Sequence, residues 1–396
     1  MPPVIWALGF VSLLMDVSSE MIHSLLPVFL VTGLGASALT VGVIDGAAEA
    51  LALGVKVFSG LLSDLWGKRK PLALWGYGLG AISKPLFALA STSSWVLTAR
   101  LVDRLGKGIR GAPRDAMVAD LAPAAVRGAA YGLRQALDTV GAFLGPVLAL
   151  GLMVLWDNDF RAIFGVAIVP GLGAVLLLFF CVREPERPKV AHRPNPLAGA
   201  QLKQLSRPYW WVVGIGVLFT LARFSEAFLV LRAVQGGLRI TFAPLVMIGM
   251  NLAFALTAYP FGKLADRYSS TLLLAAGLFA LVAADLGLAY GDVWIWLGIL
   301  FWGLHLALTQ GLLAKLVADA APEDLRGTAF GFFNLLSGMA MLAASVCAGW
   351  LWDRFGAEQT FLAGAGFCLL ALAALFARGY WGQEQRPIQE SYPSTP

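Results

Sequence analysis

A chain of 396 residues that is 58% hydrophobic and only 13% charged, with a mean hydropathy of +0.74, has the composition of a protein whose solvent is lipid. The net charge of +5 does not point to nucleic acid, because no basic domain stands outside the apolar runs. With no soluble domain, metal cluster or nucleophile elbow, and no strand-like alternation of a β-barrel, the chain reads as an all-α integral membrane protein and not an enzyme.

A helix needs about 20 apolar residues to cross the hydrocarbon core. Twelve such runs lie near 4–31, 39–64, 71–91, 94–119, 127–155, 161–182, 209–232, 241–264, 271–290, 293–318, 327–351 and 359–381. The first carries Asp16, Glu20 and His23 at spacings of four and three, hence on one face. It has no basic leader and is too long for a signal peptide. The second places Asp45, Glu49 and Lys56 on one face and ends in a loop bearing Lys68, Arg69 and Lys70.

The fourth run holds "RLVDRLGKGIRGAPRDAM" at 100–117. At 100° per residue, Arg100, Arg104, Lys107, Arg110 and Arg114 fall within an arc of about 120°, with Asp103 and Asp115 sharing or bordering it. A charge facing lipid costs on the order of 3 kcal/mol, so this stripe must face protein, water or the membrane edge. Arg104 and Lys107, near mid-depth, are candidates for substrate or coupling, or for a static network with Asp45, Glu49 and Asp103. Arg110 and Arg114 are expected to brace Asp64 or lipid phosphates. Arg100, and Lys84 of the third run, are expected to snorkel toward headgroups.

The fifth run pairs Arg134 with Asp138 at i, i+4 and continues into "GAFLGPVLALG", a small-residue strip that allows close helix approach, with Pro146 permitting a bend. Residues 183–208, rich in Pro and charge, form a linker. Later runs are poorer in polar groups, offering Arg223, Glu226, Asn251, His305, Gln310 and Asn334. Asp285 in the ninth run reads as structural, and Cys181, Cys347 and Cys368, far apart inside apolar runs, read as packing residues. Basic residues gather in the even-numbered connections, while "WDNDFR" after the fifth run is net acidic, which places both termini in the cytoplasm.

The chain repeats itself. "VADLAPAAVRGAAYG" at 118–132 recurs as "VADAAPEDLRGTAFG" at 317–331, with nine of fifteen positions identical at an offset of 199 residues. "GLLSD" at 60–64 is echoed by "GKLAD" at 262–266. Six spans are therefore repeated once in parallel: residues 1–182 and 209–382 as two bundles, 183–208 joining them, and 383–396 as a tail.

These motifs and this topology resemble the major facilitator superfamily. Its loop signature between spans 2 and 3, Gly-x-x-x-Asp-Arg-x-Gly-Arg-Arg/Lys, is met at Gly60, Asp64, Gly67, Lys68 and Arg69, with Leu65 in place of the usual Arg. The second-half copy keeps Asp266 and Arg267. The family's antiporter motif is approximately Gly-x-x-x-Gly-Pro-x-x-Gly-Gly, matched at Gly141, Gly145 and Pro146 with Ala149 replacing the next Gly. "RLGKGIRGA" at 104–112 is similar to the span-4 motif Arg-x-x-Gln-Gly-x-Gly-Ala-Ala, with Lys107 at the Gln position and Arg110 at the second Gly. The resemblance implies twelve transmembrane helices in two pseudo-symmetric six-helix bundles rocking around a midplane site. It also implies a cavity lined by spans 1, 2, 4, 5, 7, 8, 10 and 11, and a monomer.

No Walker-type loop is present, so a proton gradient, with no cofactor, is the expected energy source. Asp16 and Glu20 are the expected proton carriers. The expected activity is proton-coupled export of a small organic molecule across a bacterial inner membrane, resembling drug efflux. Uptake of an anionic or zwitterionic metabolite or siderophore, movement of a lipid or amphiphile, and a non-transporting sensor remain open as alternatives.

Overall fold

The computed structural model describes residues 1–66, 68–123, 126–184, 204–265, 267–322 and 325–384. Every regular element among them is helical. They form α1 (Pro3–Gly33), α2 (Ala38–Trp66), α3 (Lys70–Ala88), α4 (Ser93–Leu121), α5 (Arg127–Leu155), α6 (Phe160–Cys181), α7 (Arg207–Gln235), α8 (Pro244–Ala265), α9 (Ser270–Tyr290), α10 (Trp294–Ala320), α11 (Arg326–Phe355) and α12 (Ala357–Glu384). Ten of these are long and apolar enough to cross a membrane by composition alone; α3 and α4 are the exceptions. In α4 the reason is the cationic run at 100–114, which only its neighbours can shelter.

Local chemistry sets several boundaries. The Thr92 hydroxyl accepts from the Trp95 amide at 3.2 Å and starts α4, and Ser269 does the same for α9 through the Leu272 amide. Helix α1 breaks at Ser24, whose hydroxyl donates to the Met21 carbonyl, and α7 breaks between Arg223 and Glu226. These two breaks fall at matching places in the repeat, and discontinuous helices of this kind free backbone groups and side chains for a central site.

Packing follows the repeat. Helix α1 lies against α5 and α6, and α4 against α2 and α3; correspondingly α7 lies against α11 and α12, and α10 against α8 and α9. The two six-helix bundles meet where α2 packs on α11 and α5 on α8. The α2–α11 seam is close: a Cβ on Gly349 would stand 2.6 Å from the Ala38 carbonyl oxygen.

Because the twelve described helices alternate in direction, α1 begins and α12 ends on the same side, the terminus-bearing end. At the opposite end the halves are tied together. The Asp353 carboxylate of α11 accepts from the Ala38 and Leu39 amides, both at 3.0 Å, closing the N-terminus of α2 from the other bundle. Thr241 also donates to Asn158 there at 2.8 Å, and deeper in, on the cavity lining, Asn251 donates to the Ala142 carbonyl at 3.0 Å. Toward the terminus-bearing end the halves part, and Lys107, Gln135 and Gln310 line the space between them in exposed positions.

The sequence-derived runs match these helices closely. The linker expectation falls almost wholly on residues 185–203 and the tail on 385–396, both outside the described residues; α7 already begins at Arg207.

Asp353 satisfies two amides that α2 cannot satisfy itself, and its negative charge lies at the positive end of the helix dipole. Asp353→Ala is expected to lose about 1 kcal/mol from the joined state, about a fivefold shift in the balance between joined and parted distal ends. Spin-label distances between the distal ends of α2 and α11 measure that shift directly.

Candidate functional site

The space between the halves is a cavity of about 480 Å³, continuous in its lining with a smaller one of about 330 Å³ on the distal side. Its two walls differ. The first-half wall carries Asp16, Glu20, Glu49, Lys56, Lys107, Arg110, Arg114 and Asp138; the facing wall has Met250, Asn251, Phe254, Leu306 and Gln310, with Glu226.

The first-half wall is a lattice of ion pairs built on α4. Asp103 accepts from Lys84 Nζ at 2.7 Å and from the Ser83 hydroxyl at 3.3 Å. Arg104 reaches Glu49 at 3.1 Å and lies 3.9 Å from Asp103. Arg100 donates through Nε to Asp45 at 3.1 Å, and the other oxygen of Asp45 accepts from Ser225 of the second half at 2.7 Å. Elsewhere on the wall, Arg134 pairs with Asp138 at 2.8 Å and lies 3.4 Å from Asp115, which Arg114 contacts at 3.1 Å. Arg114 also donates to the Ser12 hydroxyl at 3.0 Å. These cations are thus met by nearby acids, most of them from a neighbouring helix, which is what permits so much charge inside a bilayer.

Two expectations are corrected here. Arg100 and Lys84 do not snorkel: each is 1% exposed and ion-paired in the bundle interior. Snorkelling needs an unobstructed path to the headgroups, and here a carboxylate lies nearer than the headgroups do. Arg110 and Arg114 do not brace lipid phosphates either. Arg110 lies over the Tyr77 ring, 4.9 Å from its centroid, and Arg114 is held by Asp115, Asp138 and Ser12. The Asp64 side chain, Gly67 and Asp266 lie outside what the structure describes.

Several groups face the cavity without a close ionic partner. Among the described residues, Asp16, Lys56, Lys107, Arg223 and Glu226 make no ion pair within 4 Å. Glu20 is bonded to His23 at 3.2 Å. Longer-range charge still acts on Asp16, from Lys107, Arg110 and Arg114 on one side and from Asp138 on the other. The six polar second-half residues offered as cavity candidates all line the cavity system: Glu226, Asn251 and Gln310 in its main body, Arg223, His305 and Asn334 beside it. Sequence reasoning missed Ser225, whose neighbours gave no cue that it would tie Asp45 across the halves, and it undervalued Arg100, Lys84 and Asp103. The i, i+3 placement of Arg100 and Asp103 beside Arg104 was the available signal.

The glycine strip of α5 lies directly behind the carboxylates of α1. A Cβ on Gly141 would stand 2.7 Å from the Leu13 carbonyl oxygen and 3.0 Å from Asp16 Cβ; one on Gly145 would stand 2.8 Å from Glu20 Cβ. Pro146 sits inside α5 at this point. The loop residues behave separately: Gly60 packs toward Ala112, Lys68 is exposed, the Arg69 side chain pairs with Asp120, the Arg69 and Lys70 amides bond to Glu184, and Arg267 is exposed after α8.

Comparison with known proteins agrees with this architecture. The model of the Major Facilitator Superfamily matches residues 8–345. An uncharacterized MFS-type transporter of Methanocaldococcus jannaschii is 32% identical over 377 residues, covering 93% of this chain and 92% of the relative. The multidrug resistance protein MdtL of Shigella flexneri is 25% identical over 311 residues, covering 75% and 73%. Among solved structures, the nucleoside transporter NupG superposes with a TM-score of 0.75 at 14% identity, covering 95% of this chain and 99% of that one.

Gly141→Ala and Gly145→Ala each drive a methyl into α1, and overpacking of this kind costs about 1–3 kcal/mol. Both are expected to lower the thermal unfolding midpoint of the detergent-solubilised protein. Gly151→Ala is the control, since a Cβ there meets nothing within 4 Å.

Proposed function

The chain belongs to the Major Facilitator Superfamily, a family of multi-pass membrane transporters and not enzymes, and from that membership we propose that it is a proton-coupled antiporter exporting a small organic solute. It would work as a monomer in a bacterial inner membrane with both termini in the cytoplasm. The observation that carries the reading is Asp16, an acid on the cavity wall with no ionic partner within 4 Å among the described residues, backed by the glycine strip at Gly141.

A carboxyl in such a place has two environments. When the cavity is open, water reaches it; when the halves close at the terminus-bearing end, water leaves and only the neighbouring cations and Asp138 remain. Desolvation disfavours the charged form and nearby cations favour it, so the balance moves with the state of the cavity. That change lets a proton be taken up on one side and released on the other. Glu20, beside Gly145 and bonded to His23, sits one turn away as a second carrier. The Arg104–Glu49 and Arg134–Asp138 pairs hold the wall in place, and Lys107, Arg223 and Glu226 supply charge to a solute.

Export is the favoured direction because Gly141, Gly145 and Pro146 resemble the antiporter motif, and because the MdtL relative is named a multidrug resistance protein. The open cavity at the terminus-bearing end would then be the loading state.

The test uses proteoliposomes with a trapped pH-sensitive dye and a panel of organic anions, cations and zwitterions. A transported solute is expected to drive protons the opposite way. Asp16→Asn is expected to cut solute-driven proton flux at least about tenfold while solute-for-solute exchange persists, because exchange needs no net proton movement. Proton flux in the solute's own direction, or flux indifferent to Asp16→Asn, overturns the proposal.

A further inference from the structure

Beside the main cavity lies a second chamber of about 330 Å³, walled by α2, α7, α10 and α11. Leu53, Lys56 and Gln310 line both spaces, so the chamber opens off the transport path. Its chemistry is unlike the rest of the site. The main cavity mixes acids and bases, whereas this chamber has no carboxylate in its lining among the described residues. It has two cations, Lys56 from the first half and Arg223 from the second, and among the described residues neither makes an ion pair within 4 Å.

Three further features accompany the charge. Ser337 is 8% exposed and its hydroxyl has no hydrogen-bond partner among the described residues, although it lines the chamber. Asn334, one turn before it on α11, adds an amide to the same lining. Phe219, Phe330 and Phe333 supply aromatic surface around these polar groups. The buried Ser337 hydroxyl is costly to leave unsatisfied unless a ligand or water completes it, while Lys56 is exposed and Arg223 half-buried, so both can reach a bound anion. A volume of this size lies within the range of small-molecule sites.

We propose that this chamber seats the anionic end and planar ring of the transported solute, so that the substrate class is an aromatic organic anion. The inference rests on reading the chain as a solute transporter. Lys56 and Arg223 lie on opposite halves, so one carboxylate or sulfonate between them joins the bundles across the cavity. Asn334 and Ser337 donate to the same anion, and the phenylalanines receive the ring by edge and face contacts. A cationic analogue meets two like charges and no acid, which is how the site would reject it.

The test is equilibrium binding of 2-naphthoate to the full-length, detergent-solubilised protein with no gradient present. Saturable binding is expected, at least about tenfold tighter than that of 2-naphthylmethylammonium or of neutral 2-naphthalenemethanol. Arg223→Gln and Lys56→Gln are each expected to weaken it about tenfold, as loss of one charge-assisted contact does, and Arg223→Lys to restore most of it. Ser337→Asp, which places an acid in the chamber, is expected to abolish naphthoate binding. Thermal unfolding of each variant without ligand checks that it folds; if one does not, Phe333→Ala provides a second reading of the same wall. Tighter binding of the cation, or naphthoate binding unchanged by Arg223→Gln and Lys56→Gln, overturns the proposal. Because binding is measured with no gradient, naphthoate that binds with this selectivity but drives no opposing proton flux in proteoliposomes sinks the antiport reading alone, whereas proton antiport with naphthoate binding indifferent to Arg223→Gln and Lys56→Gln sinks this one alone.

Discussion

Everything in this molecule depends on pairing charge inside a low-dielectric slab. Helix α4 carries five cations where lipid tolerates almost none: Arg100, Arg104 and Arg114 are held by acids of α2 and α5, Arg110 rests on the Tyr77 ring of α3, and Lys107 alone of the five stands exposed in the cavity. Breaking one partner of such a buried pair costs on the order of 3–5 kcal/mol, because the remaining charge has nowhere to go. The lattice therefore fixes the first bundle as a rigid, polar wall. The second bundle, with few charges, presents apolar and amide side chains to the same cavity.

That asymmetry divides the labour between two bundles with one architecture. A rigid ionic wall can hold groups whose charge state matters, and Asp16 and Glu20 stand on it beside a glycine strip that brings α5 within contact of α1. The opposite wall contributes the broken helix α7, which turns Arg223, Ser225 and Glu226 toward the first half at one place. Ser225 bonds Asp45, and Asp45 is already held by Arg100. One carboxylate thus ties the ionic lattice of the first half to the broken helix of the second.

The two closures are built of different materials. The distal end is held by hydrogen bonds and by the Asp353 carboxylate at the N-terminus of α2, contacts that are directional and break over a short distance. The α2–α11 seam is backbone-close packing through small residues, which allows rocking without opening a void. A bistable interface of this kind suits alternating access, since a solute bridging the halves contributes to one state and not the other.

The sequence by itself determined the class, the twelve spans, the internal repeat and which helices bear charge, because each follows from a one-dimensional signal: run length, offset identity and helical periodicity. It also paired Arg134 with Asp138, since i, i+4 spacing makes them neighbours, and it offered Glu49 only as one of three acids, with Asp45 and Asp103, in a candidate network with Arg104 and Lys107. Only the tertiary structure decided where the stripe on α4 points along its length. Arg100 and Lys84 differ from a snorkelling pair by the position of Asp45 and Asp103 in space, which no local pattern encodes. Arg110 rests on Tyr77 for the same reason. The acid-free chamber is wholly a tertiary fact: Lys56 and Arg223 are 167 positions apart in the chain and line one chamber only because the fold sets α2 and α7 around it.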